Sequence, residues 1–109
     1  MGYVGPALVR HFRQSFVESE LIGLDSGFFA HCLTGTELMP ETLLDEQWFT
    51  DVREVTPKDL EGIDAVVHLA AISNDPMGKA FEAVTADINQ HASVNLAAAS
   101  KEAGVRSFV

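Results

Sequence analysis

The chain has 109 residues, 47% of them apolar and 21% charged, which is the balance of one modest globular domain and excludes a disordered chain. A formal net charge of −9 excludes partners held by bulk attraction to phosphate, so nucleic acid and anionic membrane surfaces are not expected to bind. Apolar runs are too short to cross a bilayer, secretion is not expected, and the lone Cys32 allows no intrachain disulfide, so a reducing cytoplasm is the expected location.

The chain opens on "MGYVGPALVRHF", in which Gly2 and Gly5 are spaced like the last two glycines of a dinucleotide-binding turn. A side chain at either position would hold a pyrophosphate off the backbone, and N–H groups at the start of the following helix would face the anion. That helix is expected over 6–16. Pro6 suits its first turn, and Val4, Leu8, Phe12 and Phe16 recur every four residues. "SELIGLD" reads as a short buried strand ending at Asp25, 20 residues after Gly5. A carboxylate in that place accepts hydrogen bonds from an adenosine ribose and repels a 2′-phosphate. No arginine follows before Arg53, so NAD is favoured over NADP.

Residues 26–47, with Gly27, Gly35 and Pro40, show no clear periodicity. "WFTDVRE" reads as a strand and its exit. "TPKDLEG" reads as a single helical turn with Thr56 as N-cap, Pro57 in first position and Asp59 nearby. "IDAVVHLAA" is the clearest strand, apolar over 65–69 except for His68 and expected to be buried on both faces. "SNDP" breaks it. A long helix is expected over 79–103, stopped by Gly104, and "VRSFV" begins another strand.

Alternation of apolar strands with helices implies an α/β fold with a parallel sheet covered on both faces. With a strand before Gly2 the order becomes the first half of a doubly wound, Rossmann-like fold. Residues 1–109 are therefore expected to form one partial domain whose first strand is missing and whose last is cut.

These segments resemble the extended short-chain dehydrogenase/reductases, in particular the NAD-dependent epimerase/dehydratase group that acts on nucleotide sugars. The resemblance runs the length of the chain. "GYVGPALVRHF" is similar to the end of the group's glycine turn and first helix, and "LIGLDS" to its ribose-binding strand. "DVRE" is similar to an adenine-binding element, "VVHLAAIS" to the strand end beneath the cofactor, and "INQHASVNLAAASKEAGVRSFV" to the helix and strand after it. The resemblance implies NAD held by Gly2, Tyr3, Val4 and Gly5 at the pyrophosphate and by Asp25 at the ribose. It implies Asp51 at the adenine amino group, the Val52 backbone at the ring, and Leu69, Ala70 and Ala71 beneath the cofactor. In this group the residue before Asn89 is often polar and a glycine stands at position 92; here they are Ile88 and Ala92. A nucleotide-sugar substrate and a homodimer are implied for the intact parent.

The group's catalytic unit, a Ser or Thr followed by Tyr-x-x-x-Lys, has no counterpart. Tyr3 is the single tyrosine, and Ala7 stands where the lysine would be. No catalytic residue is assigned. No metal site is assigned either: His31 and Cys32 are adjacent, poor geometry for two ligands on one ion, and His11 and His91 lie on different helices without a carboxylate pattern. His68 is expected to be a packed core histidine. Phe28 and Phe29 could cover an adenine or pack the loop, and Ser73 to Asp75 could face a substrate.

Two other readings stay open. A noncatalytic NAD(P)-binding sensor or scaffold of the same fold would lack Tyr-x-x-x-Lys downstream, whereas an enzyme would have it. An unrelated doubly wound domain, such as a flavodoxin-like one, is disfavoured by Asp25 and the Asp51–Val52–Arg53 element. Met1 is expected to be an internal methionine. The chain alone is then expected to show no turnover, at best weak NAD binding, and self-association through open strand edges. Translation upstream of Met1 in frame is expected to yield a short apolar strand ending in a glycine-rich turn. A stop codon or unrelated sequence immediately upstream would refute that.

Overall fold

In a computed structural model, residues 2–28, 39–73 and 80–109 of the chain are described. They fall into two compact units, Met1–Thr50 and Asp51–Val109.

The first unit opens with helix α1, Gly5–Ser15, within one residue of the expected span. Gly5 and Val9 are its buried residues. Phe12 and Phe16, one turn apart, pack with their rings tilted by 39° and centroids 5.3 Å apart. Arg13, in the last turn, fixes how the chain leaves the helix. Its guanidinium donates to the Ser19 carbonyl at 2.9 Å, to the Leu43 carbonyl and to the Asp45 carboxylate. Asp45 also accepts from the Leu21 N–H at 2.7 Å, and its own N–H returns a bond to the Leu21 carbonyl at 2.9 Å.

That exchange sets the register of the strands that follow. β1, Ile22–Leu24, pairs in parallel with β2, Glu46–Trp48, residue 22 against 46. The expected strand in "WFTDVRE" is thus displaced. Pairing occupies Glu46–Trp48, and the expected exit holds a 3-10 turn at Val52–Glu54. The reason is local: the Asp51 side chain accepts the Arg53 N–H at 2.9 Å, which closes a turn in competition with an extended chain. The stretch expected to be irregular holds a 3-10 helix at Pro40–Leu43, begun by its proline. Gly35 lies outside the described residues.

The second unit has the capped turn expected at Thr56. A 3-10 helix spans Pro57–Leu60, and the Asp59 carboxylate accepts from both the N–H and the hydroxyl of Thr56, at 2.8 and 2.6 Å. β3, Ala65–Val66, pairs in parallel with β4, Ser107–Phe108. Hydrogen bonds run past these ends: His68 N–H donates to the Val109 carbonyl and Val109 N–H to the Val66 carbonyl, at 2.8 and 3.0 Å.

The helical region expected to end at 103 does so, in three phases. These are α2, Glu82–Ala86, a π-helical segment, Asp87–Ala92, and α3, Ser93–Ala103. Gly104 follows with φ 84°, the left-handed conformation that a Cβ would strain, and its N–H closes the helix end.

The core of this unit is a cluster of Leu60, Leu96 and Ala99, with Val52, Val55, Ile63, Val66 and Val105 packed against it. It covers one side of β3. Burial of that strand on both faces is therefore not what the structure shows: Val67 and Leu69 are 38% and 46% exposed, while Val66 and His68 are sheltered. Side chains alternate along a strand, and α3 shields the faces of Val66 and His68 alone. His68 is accordingly half-buried, its ring tilted against Phe108 at 6.1 Å. The architecture is α/β with small parallel sheets.

Two outcomes follow from this packing. Leu96→Ala removes the centre of the cluster and is expected to cost about 2–4 kcal/mol, read as a lower urea midpoint at unchanged slope. The Leu21 N–H, and then Arg13, hold the Asp45 carboxyl below its ordinary 3.8. A lowered folded-state value contributes stability above the unfolded value, lost as pH falls through the folded one. Asp45→Asn is therefore expected to destabilise the chain at pH 6 and to matter much less near pH 2, by urea titration at both.

Candidate functional site

The glycine turn sits ahead of α1. Gly2 has φ 63°, and a Cβ built on it would meet nothing within 4 Å. The requirement for glycine there comes from the backbone conformation, not from crowding. Tyr3 and Val4 project outward, 98% and 55% exposed. The Val4 carbonyl accepts the first helical bonds, from Ala7 and Leu8 at 3.1 and 3.3 Å. The N–H groups of Tyr3, Val4 and Gly5 stand ahead of those bonds, where a helix start offers donors and a positive dipole end.

Asp25 follows directly on β1. Its N–H continues the ladder to the Trp48 carbonyl at 3.0 Å, and its Oδ1 accepts the Gly27 N–H at 2.7 Å. That local turn places the carboxylate at the C-terminal end of a parallel strand, the end at which α/β folds bind ligands. Phe28 is 69% exposed. Phe29, His31 and Cys32 lie outside the described residues.

In the second unit, Asp51 and Val52 head the 3-10 turn. The Asp51 carboxylate is closely engaged by Arg53. Oδ1 accepts the Arg53 N–H and Nε at 2.9 and 3.0 Å, and Oδ2 accepts Nε and Nη2 at 3.1 and 2.6 Å. The other arm, Nη1, reaches the Asp87 carboxylate of the π segment at 2.8 Å. Hydrogen bonds from Arg53 hold both carboxyls below their ordinary range, so both are ionised at neutral pH. Among the described residues the Val52 N–H has no partner. One acceptor and one donor therefore stand side by side at this turn.

The strand exit is held by a separate set of contacts. His68 Nε2 lies 2.8 Å from the Ser93 hydroxyl, which donates its single hydrogen to the Asn89 carbonyl at 2.9 Å. His68 must then donate from Nε2, and burial lowers its pKa, which favours the neutral ring. The Asn89 side chain binds both backbone groups of Ile72, accepting its N–H and donating to its carbonyl, each at 2.8 Å. Leu69, Ala70 and Ala71 lie between these two anchors with their side chains exposed. Ile88, the neighbour of Asn89, is half-buried, and Ser73 is exposed. Asn74 and Asp75 lie outside the described residues.

Arg53, Asp87, Asn89 and Ser93 are the residues that sequence reasoning passed over. Arg53 and Asn89 stood inside the recognised segments. Their partners are 34 and 17 residues away, and no local pattern announces them. Among the described residues, no group of three His, Cys, Asp or Glu side chains is placed to hold a metal ion. No helix among them is long and apolar enough to cross a membrane.

The NAD dependent epimerase/dehydratase family matches residues 1–109. No curated protein matches the chain in sequence. Among solved structures, the chain is similar to TunA, an NAD-dependent NDP-hexosamine 5,6-dehydratase involved in tunicamycin biosynthesis. The TM-score is 0.75 at 24% identity, over 95% of this chain and 31% of that one. That likeness concerns the fold, and the chain spans under a third of the other protein's length. With the family match covering every residue from the glycine turn to the final strand, the chain belongs to the NAD dependent epimerase/dehydratase family.

Proposed function

We propose that residues 1–109 are a partial NAD-binding domain of a nucleotide-sugar epimerase or dehydratase, with the parallel pairs as parts of its doubly wound sheet. Membership of the family and the likeness to a nucleotide-sugar dehydratase support this reading. The observation that carries it is Asp25, a carboxylate at the C-terminal end of a parallel strand that follows a glycine turn and its helix.

The described residues fit the cofactor. Gly2, Tyr3, Val4 and Gly5 present backbone to the pyrophosphate, with a positive-φ glycine and outward side chains leaving room for it. Asp25 takes the ribose hydroxyls, which favours NAD over NADP. Asp51 accepts the adenine amino group, and the Val52 N–H meets the ring. Leu69, Ala70 and Ala71 lie beneath the cofactor, on a strand exit that Asn89 fixes from the helix side. Bound there, the nicotinamide would supply a hydride acceptor and donor for a sugar carbon. This chain's part is to hold and orient the cofactor, and proton transfer belongs to the intact parent, a cytoplasmic homodimer in this reading.

Asp25→Arg in the intact parent separates this reading from others. Two hydrogen bonds from the ribose to a carboxylate are lost, at about 1.5–3 kcal/mol each, and a guanidinium attracts a 2′-phosphate. NAD affinity is expected to fall and NADP affinity to rise, by titration calorimetry. Equal NAD affinity in variant and wild type would show that Asp25 does not face the ribose.

A further inference from the structure

An ionised carboxylate offers about four acceptor positions, two on each oxygen. In Asp51 most of them are taken by its own neighbour. Oδ1 accepts two donors, the Arg53 N–H and Nε, and is full. Oδ2 accepts Nη2 at 2.6 Å and shares Nε at 3.1 Å. One strong acceptor direction is left, on Oδ2. The guanidinium cannot swing away freely, because Nη1 is tied to Asp87 on the π segment. It therefore fixes the rotation of the carboxylate as well as its occupancy. Val52, whose N–H has no partner among the described residues, supplies the donor beside it.

The two purines address such a pair differently. Adenine presents one amino hydrogen beside a ring nitrogen acceptor, and so needs one carboxylate acceptor and one N–H. Guanine presents two donors on adjacent positions, the ring N–H and the amino group, and binds an open carboxylate through both oxygens. We propose that Arg53 is a specificity-determining residue: by filling the Asp51 carboxylate down to one open acceptor, it admits adenine and denies guanine its second hydrogen bond. This rests on the reading that Asp51 faces the base of a bound dinucleotide. It adds that selectivity resides in the arginine two residues on, which need not touch the ligand.

The test uses the intact parent, with NAD and nicotinamide guanine dinucleotide as probes. Affinities are taken from NMR shift titrations at millimolar ligand, where weak binding is still read. The unaltered parent is expected to prefer NAD by about tenfold or more, the worth of one hydrogen bond to a charged group. Arg53→Leu opens both oxygens and is expected to shrink that preference about fivefold or more, in part through tighter binding of the guanine dinucleotide. A merely structural role for Arg53 would weaken both ligands alike and leave the ratio unchanged. Arg53→Lys keeps the charge and the reach to Asp87 but cannot cover both oxygens, and should shift the ratio in the same direction. It carries the test if the leucine variant loses its dispersed spectrum. An unchanged ratio in a folded variant overturns the proposal alone. Failure of the unaltered parent to bind either dinucleotide overturns the underlying reading and the proposal with it.

Discussion

Arg13 and Asp45 settle the geometry of the first unit. Parallel strands cannot be joined by a tight turn, so the chain must travel between them and still arrive in register. Here arrival is governed by polar contacts at the strand entrances. Arg13 gathers the helix exit at Ser19, the 3-10 segment at Leu43 and the carboxylate of Asp45. Asp45 then locks onto Leu21, one residue ahead of β1. Everything downstream of that lock, including the height at which Asp25 leaves β1, follows from it. A partly buried guanidinium with three separate acceptors is well suited to the task, because its rigid fork imposes angles as well as distances.

The second unit uses apolar packing to the same end. Leu60, Leu96 and Ala99 bind the short 3-10 turn to α3, and that helix then serves as the ruler along which polar side chains are set out. Ser93 meets His68, and Asn89, one turn earlier, meets Ile72. Between these two points the chain departs from its strand with its backbone held and its side chains turned outward. A ligand surface made in this way depends little on which small side chains line it, and strongly on the two anchors.

What the sequence made legible was largely what neighbouring residues decide among themselves. Pro6 after Gly5, Gly104 after an alanine-rich helix, and Asp59 three residues past Thr56 are short-range signals, and the elements they announce are present. β2 lies ahead of the expected position: "WFT" is more apolar than "EQW", but the register is set by a contact between residues 21 and 45. The 3-10 turn at Val52 falls in the expected strand exit, where an aspartate cap shapes it. Exposure of Val67 and Leu69 could not be read from an apolar run, since such a run states that burial is favourable but not what is available to cover it. Among the candidate site residues, types and spacing were readable, while the ion pair between Arg53 and Asp87 was not, because it closes over more than thirty residues.

The π segment between α2 and α3 gives the helix a change of phase. A π turn accommodates one residue more than an α turn, and one residue is about 100° of rotation. Up to Asp87 the helix is indexed to Arg53, and from Leu96 onward it is indexed to Leu60. A uniform α-helix of the same composition could satisfy one of these alignments at a time. The extra residue acts as a gear between them, letting the polar and apolar faces be positioned independently along one rod. Loss of Gln90 from this segment would remove that independence while leaving Asp87, Asn89 and Ala92 in the chain. The length of this helix is thus more tightly constrained than the identity of most residues in it.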